Sequence, residues 1–238
     1  MLMIHGACTD SDFFLESASA LSLYYEAVIY DRRGSGRSTV SDSADCSVEC
    51  QAEDAADILR TIGRPAHIIA HSGGTAVAMT LAQAHPELVR RIILHEPVDY
   101  DCRSPRDEAE LQQIAALIGR KKYNSALAHF MERIGKADPR ARKATDGELD
   151  RLGGNCKHFI RREFESFMYF TSDAEILKDR DIVIGLGELS RGSVRWDTAL
   201  KLAQKISAPV LYFPGAHNCA YDLPKEFACM CLGMLWMQ

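Results

Sequence analysis

Ser72 stands where a serine side chain can act as a nucleophile. It follows the apolar run Ala66–Ala70, which suits a buried parallel strand, and it precedes a helix-forming, Ala-rich stretch that begins at Gly73. A strand that turns into a helix within one residue forces that residue into a strained conformation with a projecting side chain. The residues two positions before and two positions after the serine must have small side chains. Ala70 and Gly74 meet this requirement, although Ala70 replaces the usual glycine. The segment therefore predicts a nucleophile elbow.

A serine hydroxyl needs a general base within hydrogen-bond reach, because the free hydroxyl is a weak nucleophile. Of the eight histidines, His217 alone lies in a short glycine-bearing loop, Pro214–His217, directly after the last predicted strand. From this loop, its side chain can fold back across the carboxyl ends of the strands, where open α/β sheets place their sites. We therefore predict that His217 is the base for Ser72.

The elements that must position these residues alternate along the chain. Strands are predicted at Leu2–His5, Glu26–Asp31, Ala66–Ala70, Ile92–His95, Asp181–Leu186 and Pro209–Phe213, with helices between them. This alternation predicts a parallel sheet with helices on both faces. From about residue 99 to residue 180 the strand pattern stops. Two apolar sets at helical spacing then predict three to four amphipathic helices: Leu127, Phe130, Met131 and Ile134, followed by Ile160, Phe164, Phe167 and Met168.

The composition excludes several classes of function. The 238 residues carry a net charge of −5, from 28 basic and 33 acidic side chains, which gives no electrostatic reason to expect nucleic acid or an anionic membrane. No apolar run approaches the roughly 18 residues of a transmembrane helix, and the N-terminal stretch lacks the features of a signal peptide. The eight cysteines show no metal-site spacing, so we expect reduced thiols, no metal and a cytoplasmic location.

Four segments of the chain resemble the α/β-hydrolase superfamily and occur in its order. They are the strand that ends in His5-Gly6, the segment Tyr30–Ser38, the elbow around Ser72, and the loop Pro214–His217 before a final helix. Serine at the elbow differs from the aspartate of the dehalogenases and epoxide hydrolases that share this fold. The segment 95–97 (His-Glu-Pro) is locally similar to zearalenone-type lactone hydrolases.

The resemblance implies a doubly wound, mostly parallel sheet of about six strands with an inserted helical lid. Residues 1–98 and 181–238 would form the core, and residues 99–180 the lid. Family members usually have two antiparallel strands before the His-Gly strand, and their absence indicates either a start inside a longer reading frame or a minimal core. Glu26–Asp31 would then be an apolar strand at the edge of the sheet, and a homodimer could form through this exposed edge.

The resemblance also implies an oxyanion hole. Two preorganised N–H groups must stabilise the developing negative charge, and Gly73, directly after the nucleophile, supplies one of them. In this fold the second comes from the loop after the first of these strands, here Ala7. The alternative for His5-Gly6 is an ordinary turn that ends the strand. Cys8 is expected to be a small filler beside this loop.

The acid that orients His217 is open to two assignments. In this fold the chain order is serine, acid, histidine, so the acid lies after Ser72 at the carboxyl end of a strand. Glu188 qualifies, although the family commonly has aspartate two positions later, where this chain has Ser190. Glu96 is preferred, because similar lactone hydrolases take their acid here and because the following proline favours an extended backbone. The alternative for Glu96 is a structural ion pair with a lid arginine or lysine.

The sequence therefore predicts a cofactor-free serine hydrolase that cleaves an ester, lactone or related acyl bond of a small, largely apolar substrate through an acyl-enzyme. Aromatic residues of Phe159–Phe170 are expected to line the pocket under the lid. The alternatives are a C–C bond hydrolase or a perhydrolase that uses the same residues, or a catalytically idle binding protein. The intact pair of Ser72 and His217 argues against the idle protein.

Overall fold

Six parallel strands form one sheet in the computed structural model, which describes residues 1–134, 138–141 and 143–236. Numbered along the chain, they are β1 (Leu2–Ile4), β2 (Val28–Ile29), β3 (Ala66–His71), β4 (Val89–His95), β5 (Ile182–Gly187) and β6 (Val210–Phe213). They lie side by side in the order β2-β1-β3-β4-β5-β6. The predicted α/β architecture with a parallel sheet of about six strands is confirmed.

Helices connect these strands. The α-helices are α1 (Leu15–Leu21), α2 (Val48–Ile62), α3 (Gly74–Ala84), α4 (Pro105–Gly119), α5 (Tyr123–Ile134), α6 (Asp146–His158), α7 (Phe164–Met168), α8 (Ala174–Leu177), α9 (Val194–Ile206), α10 (Cys219–Asp222) and α11 (Pro224–Trp236). A π-helical turn, Phe159–Glu163, joins α6 to α7, and short 3₁₀ helices occur at Ser11–Phe14, Pro86–Leu88, Tyr100–Cys102 and Glu188–Ser190. Within the described ranges, no helix has the length and apolar character needed to cross a membrane.

Both faces of the sheet are buried. Alternate strand residues point to opposite faces, so Ile68 and Ile184 join the larger core with α2, α3 and α9. Ile69 and Val183 join the smaller core, which α1 and α11 cover. Because neither face meets water, the central strands are continuous apolar runs, and this pattern made them visible in the sequence.

β2 lies at the edge of the sheet and is shorter than predicted. The strand pattern covered Glu26–Asp31, but only Val28 and Ile29 pair with β1. So short an edge exposes few free backbone groups to a second chain. Self-association through this edge stays a prediction.

The described chain between β4 and β5 contains no strand and folds into helices α4 to α8. The sequence predicted three to four helices in this segment, and the structure has five with a π-helical turn among them. Residues 135–137 and 142 of the predicted lid lie outside the described residues. A buried ion pair of 3.1 Å between Arg32 and Glu163 ties this segment to the sheet. The division into a core of 1–98 with 181–238 and a lid of 99–180 stays a proposal.

Replacing Gly74 by alanine is predicted to destabilise the crossing between α3 and β1. A methyl group on Gly74 would lie 2.5 Å from the carbonyl oxygens of both Ile4 and His5, and backbone atoms cannot move aside cheaply. We expect Gly74→Ala to lower the free energy of unfolding by about 1–3 kcal/mol. Gly154→Ala in α6 is the matched control, because nothing lies within 4 Å of its added methyl and helix propensity favours alanine. Equal free energies of unfolding for the two variants, measured by urea denaturation, would contradict this account of the contact between α3 and β1.

Candidate active site

Ser72 directly follows the last residue of β3, and only Ser72 and Gly73 separate β3 from α3. Its φ of +50° is in the left-handed region, which non-glycine residues rarely adopt. The Ser72 N–H donates to the carbonyl oxygen of His95 at 2.9 Å, so the corner is fixed to the neighbouring strand β4. Ser72 thus has the strained backbone that the sequence predicted for it.

His217 lies in the loop between β6 and α10 and is 5% exposed. Its Nδ1 atom is 2.6 Å from Oε2 of Glu96. The loop rests on the end of β5, where a methyl group on Gly187 would lie 2.8 Å from the carbonyl oxygens of Gly215 and Ala216. This close approach places the His217 ring over the carboxyl edge of the sheet.

Glu96 follows the last residue of β4 and is fully buried. Oε2 accepts hydrogen bonds from His217 and from Nε of Arg195 at 3.2 Å, and Oε1 accepts from the Gly187 N–H at 3.2 Å. Burial opposes ionisation of Glu96, but the hydrogen bond from His217, together with the charges of His217 and Arg195, holds the pKa of Glu96 far below its usual value. Glu96 is therefore a buried carboxylate that accepts hydrogen bonds from His217, Arg195 and Gly187.

The backbone of Glu96 differs from the sequence prediction. Pro97 favoured an extended conformation, yet Glu96 has a φ of +47°. The Glu96 N–H donates to the Gly185 carbonyl oxygen at 2.9 Å, so pairing with β5 holds this turn. The prediction of an extended residue was wrong, because hydrogen bonds to the neighbouring strand outweigh the local preference.

Glu188, the alternative acid, begins the 3₁₀ helix after β5 and is exposed. Among the described contacts, no hydrogen bond or ion pair joins Glu188 to His217, whereas Glu96 contacts this ring directly. The geometry therefore brings His217 together with Glu96 and leaves Glu188 outside.

The backbones of Ala7 and Gly73 lie next to each other. A methyl group on Gly73 would be 3.3 Å from the Ala7 nitrogen. Neither N–H finds a hydrogen-bond acceptor within the described part of the chain. Two adjacent unpaired N–H groups beside Ser72 have the arrangement expected of an oxyanion hole.

Arg32 supports this loop, and sequence reasoning missed its role. Its side chain is buried and donates to the carbonyl oxygens of His5, at 3.2 Å, and Gly6, at 3.0 Å. The same guanidinium pairs with Glu163 and lies 5.0 Å over the Phe167 ring. Arg32 belongs to the segment Tyr30–Ser38, which was identified in the sequence only by its resemblance, and its pairing with a distant glutamate has no signal in the sequence.

Two further buried histidines, His71 and His95, pack against the site. Their Nδ1 atoms are 3.2 Å apart, so one ring donates a hydrogen bond to the other. Burial lowers the pKa of His95 to about 4 and holds that of His71 well below its ordinary value, so both rings are neutral at neutral pH. The His71 ring centroid is 4.5 Å from that of His217. These rings shield His217 without adding charge.

Ser72 and His217 line one cavity of about 40 Å³ together with residues of α4, α5, α7 and α9 and of the segment that precedes α4. The other lining residues are Pro97, Val98, Arg103, Asp107, Phe130, Arg133, Met168, Arg195 and Thr198. The stretch Phe159–Phe170 contributes Met168 alone to this lining, so the prediction of an aromatic lining from that stretch was wrong. The rings of Phe159 and Phe164 instead pack with Phe130, at centroid distances of 4.9 and 6.1 Å, because they join the lid helices to one another.

The thiols near the site are buried. Cys8 has a φ of +61° beside Ala7, and Sγ of Cys219 donates to the Pro214 carbonyl oxygen at 2.8 Å. Neither cysteine is among the described residues that line the cavity with Ser72. Within the described ranges, no cluster of three or more His, Cys, Asp or Glu residues has the geometry to hold a metal.

Known proteins resemble this chain in sequence and fold. A family model described as alpha/beta hydrolase fold matches residues 1–145. YraK, an uncharacterized hydrolase of Bacillus subtilis, is 28% identical over 236 residues, which cover 96% of this chain and 85% of YraK. RutD of Stutzerimonas stutzeri, a putative carbamate hydrolase, is 30% identical over 82 residues, or 34% of this chain and 31% of RutD. This chain also resembles the crystal structure of MGS-M2, an alpha/beta hydrolase enzyme from a Medee basin deep-sea metagenome library. The TM-score is 0.76 at 15% sequence identity, and the alignment covers 100% of this chain and 89% of the MGS-M2 chain.

Removal of the Arg195 charge is predicted to raise the pKa of His217. Burial lowers this pKa and the Arg195 charge lowers it further, while Glu96 acts in the opposite direction. We therefore expect the native pKa to lie below the ordinary value of 6.5, and Arg195→Met to move it upward. NMR titration of the His217 ring measures both values. Arg191→Met, which removes an exposed arginine, is the matched control, and an unchanged or lower pKa in Arg195→Met would contradict the role given to Arg195.

Proposed function

Because this chain belongs to the alpha/beta hydrolase fold family, we propose that it is a serine hydrolase that cleaves an ester, lactone or related acyl bond through an acyl-enzyme. The observation that carries this proposal is the 2.6 Å contact between Glu96 and His217 at the cavity that Ser72 also lines. A strained serine and a buried carboxylate–imidazole pair are both costly to maintain, and such features cluster at active sites.

The proposed first half-reaction forms the acyl-enzyme. Nε2 of His217 takes the proton of the Ser72 hydroxyl as Oγ attacks the substrate carbonyl carbon, and the carbonyl π electrons move to oxygen. The N–H groups of Ala7 and Gly73 donate to this oxyanion. When the tetrahedral intermediate collapses, the bond to the leaving group breaks and the leaving group receives the proton from His217.

The second half-reaction repeats these steps with water. His217 takes a proton from a water molecule while the water oxygen attacks the acyl carbon. Collapse of the second tetrahedral intermediate then breaks the bond between the acyl carbon and Oγ of Ser72. Oγ regains the proton from His217, and the product acid leaves. Glu96 keeps the proton of His217 on Nδ1, so that Nε2 is free to accept in both halves, and it stabilises the imidazolium that forms.

The cavity supports a small acyl group. The cavity is small, about 40 Å³, and Pro97, Val98, Phe130 and Met168 provide apolar contacts. Arginines share the lining with these residues, so we propose an acyl chain that is apolar only in part. The carbamate named for RutD contains the same kind of carbonyl carbon, and this is compatible with the proposed acyl chemistry.

Replacement of Glu96 by glutamine is predicted to lower kcat by roughly 10³- to 10⁴-fold, the scale expected when the histidine tautomer is lost. Steady-state hydrolysis of p-nitrophenyl acetate measures the effect, and Ser72→Ala gives the background rate without a nucleophile. Far-UV circular dichroism should report a native fold for each variant.

Glu188→Gln is the matched control for Glu96→Gln. We expect it to retain near-native kcat, because Glu188 is exposed and makes no described contact with His217. If Glu188→Gln loses activity while Glu96→Gln keeps it, the acid has been assigned to the wrong residue. If Ser72→Ala hydrolyses the ester at the native rate, the serine mechanism itself is wrong.

A further inference from the structure

Three arginines line the small cavity that holds Ser72 and His217. Arg103 precedes α4, Arg133 belongs to α5, and Arg195 lies in the first turn of α9. Their side chains are only 5%, 13% and 16% exposed. Three guanidinium groups from separate elements therefore converge on one nearly dry space.

Buried carboxylates compensate part of the charge of these arginines. Asp107 pairs with both Arg103, at 3.1 Å, and Arg133. The second buried carboxylate, Glu96, is shared between Arg195 and His217. A third buried carboxylate, Asp99, acts on Arg103 by its charge. The described cavity lining itself carries three guanidinium groups and one carboxylate, Asp107.

A fourth nearby carboxylate, Glu110, compensates the charge of Arg133 only in part. Oε2 of Glu110 lies 3.5 Å from Nε of Arg133, but its side chain is 34% exposed and its charge is screened by water. Nε of Arg133 is itself buried and makes no hydrogen bond among the described residues. Arg133, a residue of the cavity lining, therefore has a buried donor that makes no described hydrogen bond.

The positive charges of the neighbouring arginines act on Arg133. Burial lowers the pKa of Arg133 to about 10, and the charges of Arg103 and Arg195 act in the same direction. Burial alone lowers the pKa of Arg103 to about 10, while the charge of Asp99 acts in the opposite direction. All three side chains are still cationic at neutral pH, so a bound anion would relieve their mutual repulsion.

We propose that the substrate carries a carboxylate on its acyl side and that Arg133, with Arg103 beside it, binds this carboxylate. The inference rests on the proposed function and narrows its substrate class to half-esters and similar acyl compounds of dicarboxylic acids. A guanidinium fork matches the planar geometry of a carboxylate, and the small cavity favours a short chain between the two carbonyl carbons. Arg195 is excluded from this role, because its Nε already binds Glu96.

The contrasting explanation is that the arginines only hold the lid segment together. Arg103 donates to the Met168 carbonyl oxygen and Arg195 donates to that of Arg133, so each has structural contacts. Such contacts would require no particular charge on the substrate. The two explanations differ in whether the protein prefers an anionic acyl group over a neutral one of the same shape.

The test compares monomethyl succinate with methyl 4-methylpentanoate, in which an isopropyl group replaces the carboxylate. We expect the native protein to hydrolyse the half-ester with a kcat/KM about 10- to 100-fold higher, the range of one charge-assisted hydrogen-bonded contact. Arg133→Met should reduce this ratio to about threefold or less, mainly through KM of the half-ester, and Arg133→Lys should retain part of it. Arg106→Met removes an exposed arginine of the same segment and should leave the ratio unchanged.

Binding to Ser72→Ala separates recognition from chemistry. We expect this variant to bind monomethyl succinate at least tenfold more tightly than the neutral ester, as measured by NMR titration. Equal affinity for the two esters would overturn the carboxylate site whatever the native rates are. Selective binding without hydrolysis by the native protein would instead overturn the proposed function and leave the carboxylate site intact.

Discussion

The arrangement of this site depends on one buried interaction, the hydrogen bond between the Glu96 carboxylate and the His217 ring. Glu96 is closed off from solvent, so every hydrogen bond that stabilises its charge must come from the protein, and the donors are His217, Arg195 and the N–H of Gly187. These donors belong to the loop after β6, to α9 and to the end of β5. Loss of one donor would leave a buried charge without full compensation, which is strongly destabilising. The same carboxylate thus orients the histidine and joins three separate parts of the fold at the carboxyl edge of the sheet.

Two strained residues end two adjacent strands. His71 of β3 pairs with His95 of β4, and the next residue of each strand, Ser72 and Glu96, has a positive φ. Such conformations cost about 1–3 kcal/mol each and persist only where the surroundings over-determine them. Here the surrounding sheet supplies that constraint, through the N–H of Ser72 to the carbonyl of His95 and the N–H of Glu96 to that of Gly185. The strained backbone turns the side chains of Ser72 and Glu96 away from the plane of the sheet. Because the preceding residues are paired, both side chains lie at the same end of the two strands.

Features that depend on local patterns could be predicted from the sequence, and features that depend on long-range charge pairing could not. The buried strands, the elbow at Ser72 and the loop of His217 follow from apolar runs and small residues that are adjacent in the chain. Glu96 could be located at a strand end, but its backbone could not, because the β5 hydrogen bond that fixes it comes from a residue 89 positions away. Arg103, Arg133 and Arg195 come from three different elements without a shared spacing, so the positive cavity became visible only in the folded chain. Periodicity identified the aromatic residues of the lid segment, but it could not distinguish rings that pack with each other from rings that line a cavity.

The central claim is that the pair of Glu96 and His217 activates Ser72 as a nucleophile. Reaction with a fluorophosphonate measures this activation without knowledge of the substrate, since Oγ displaces fluoride from phosphorus and stays covalently bound. Intact mass and peptide mapping should give one adduct, on Ser72, and its rate of formation should fall by about 10³-fold in Glu96→Gln. An adduct on a different serine, no adduct on folded protein, or equal rates in the native protein and in Glu96→Gln would contradict the claim.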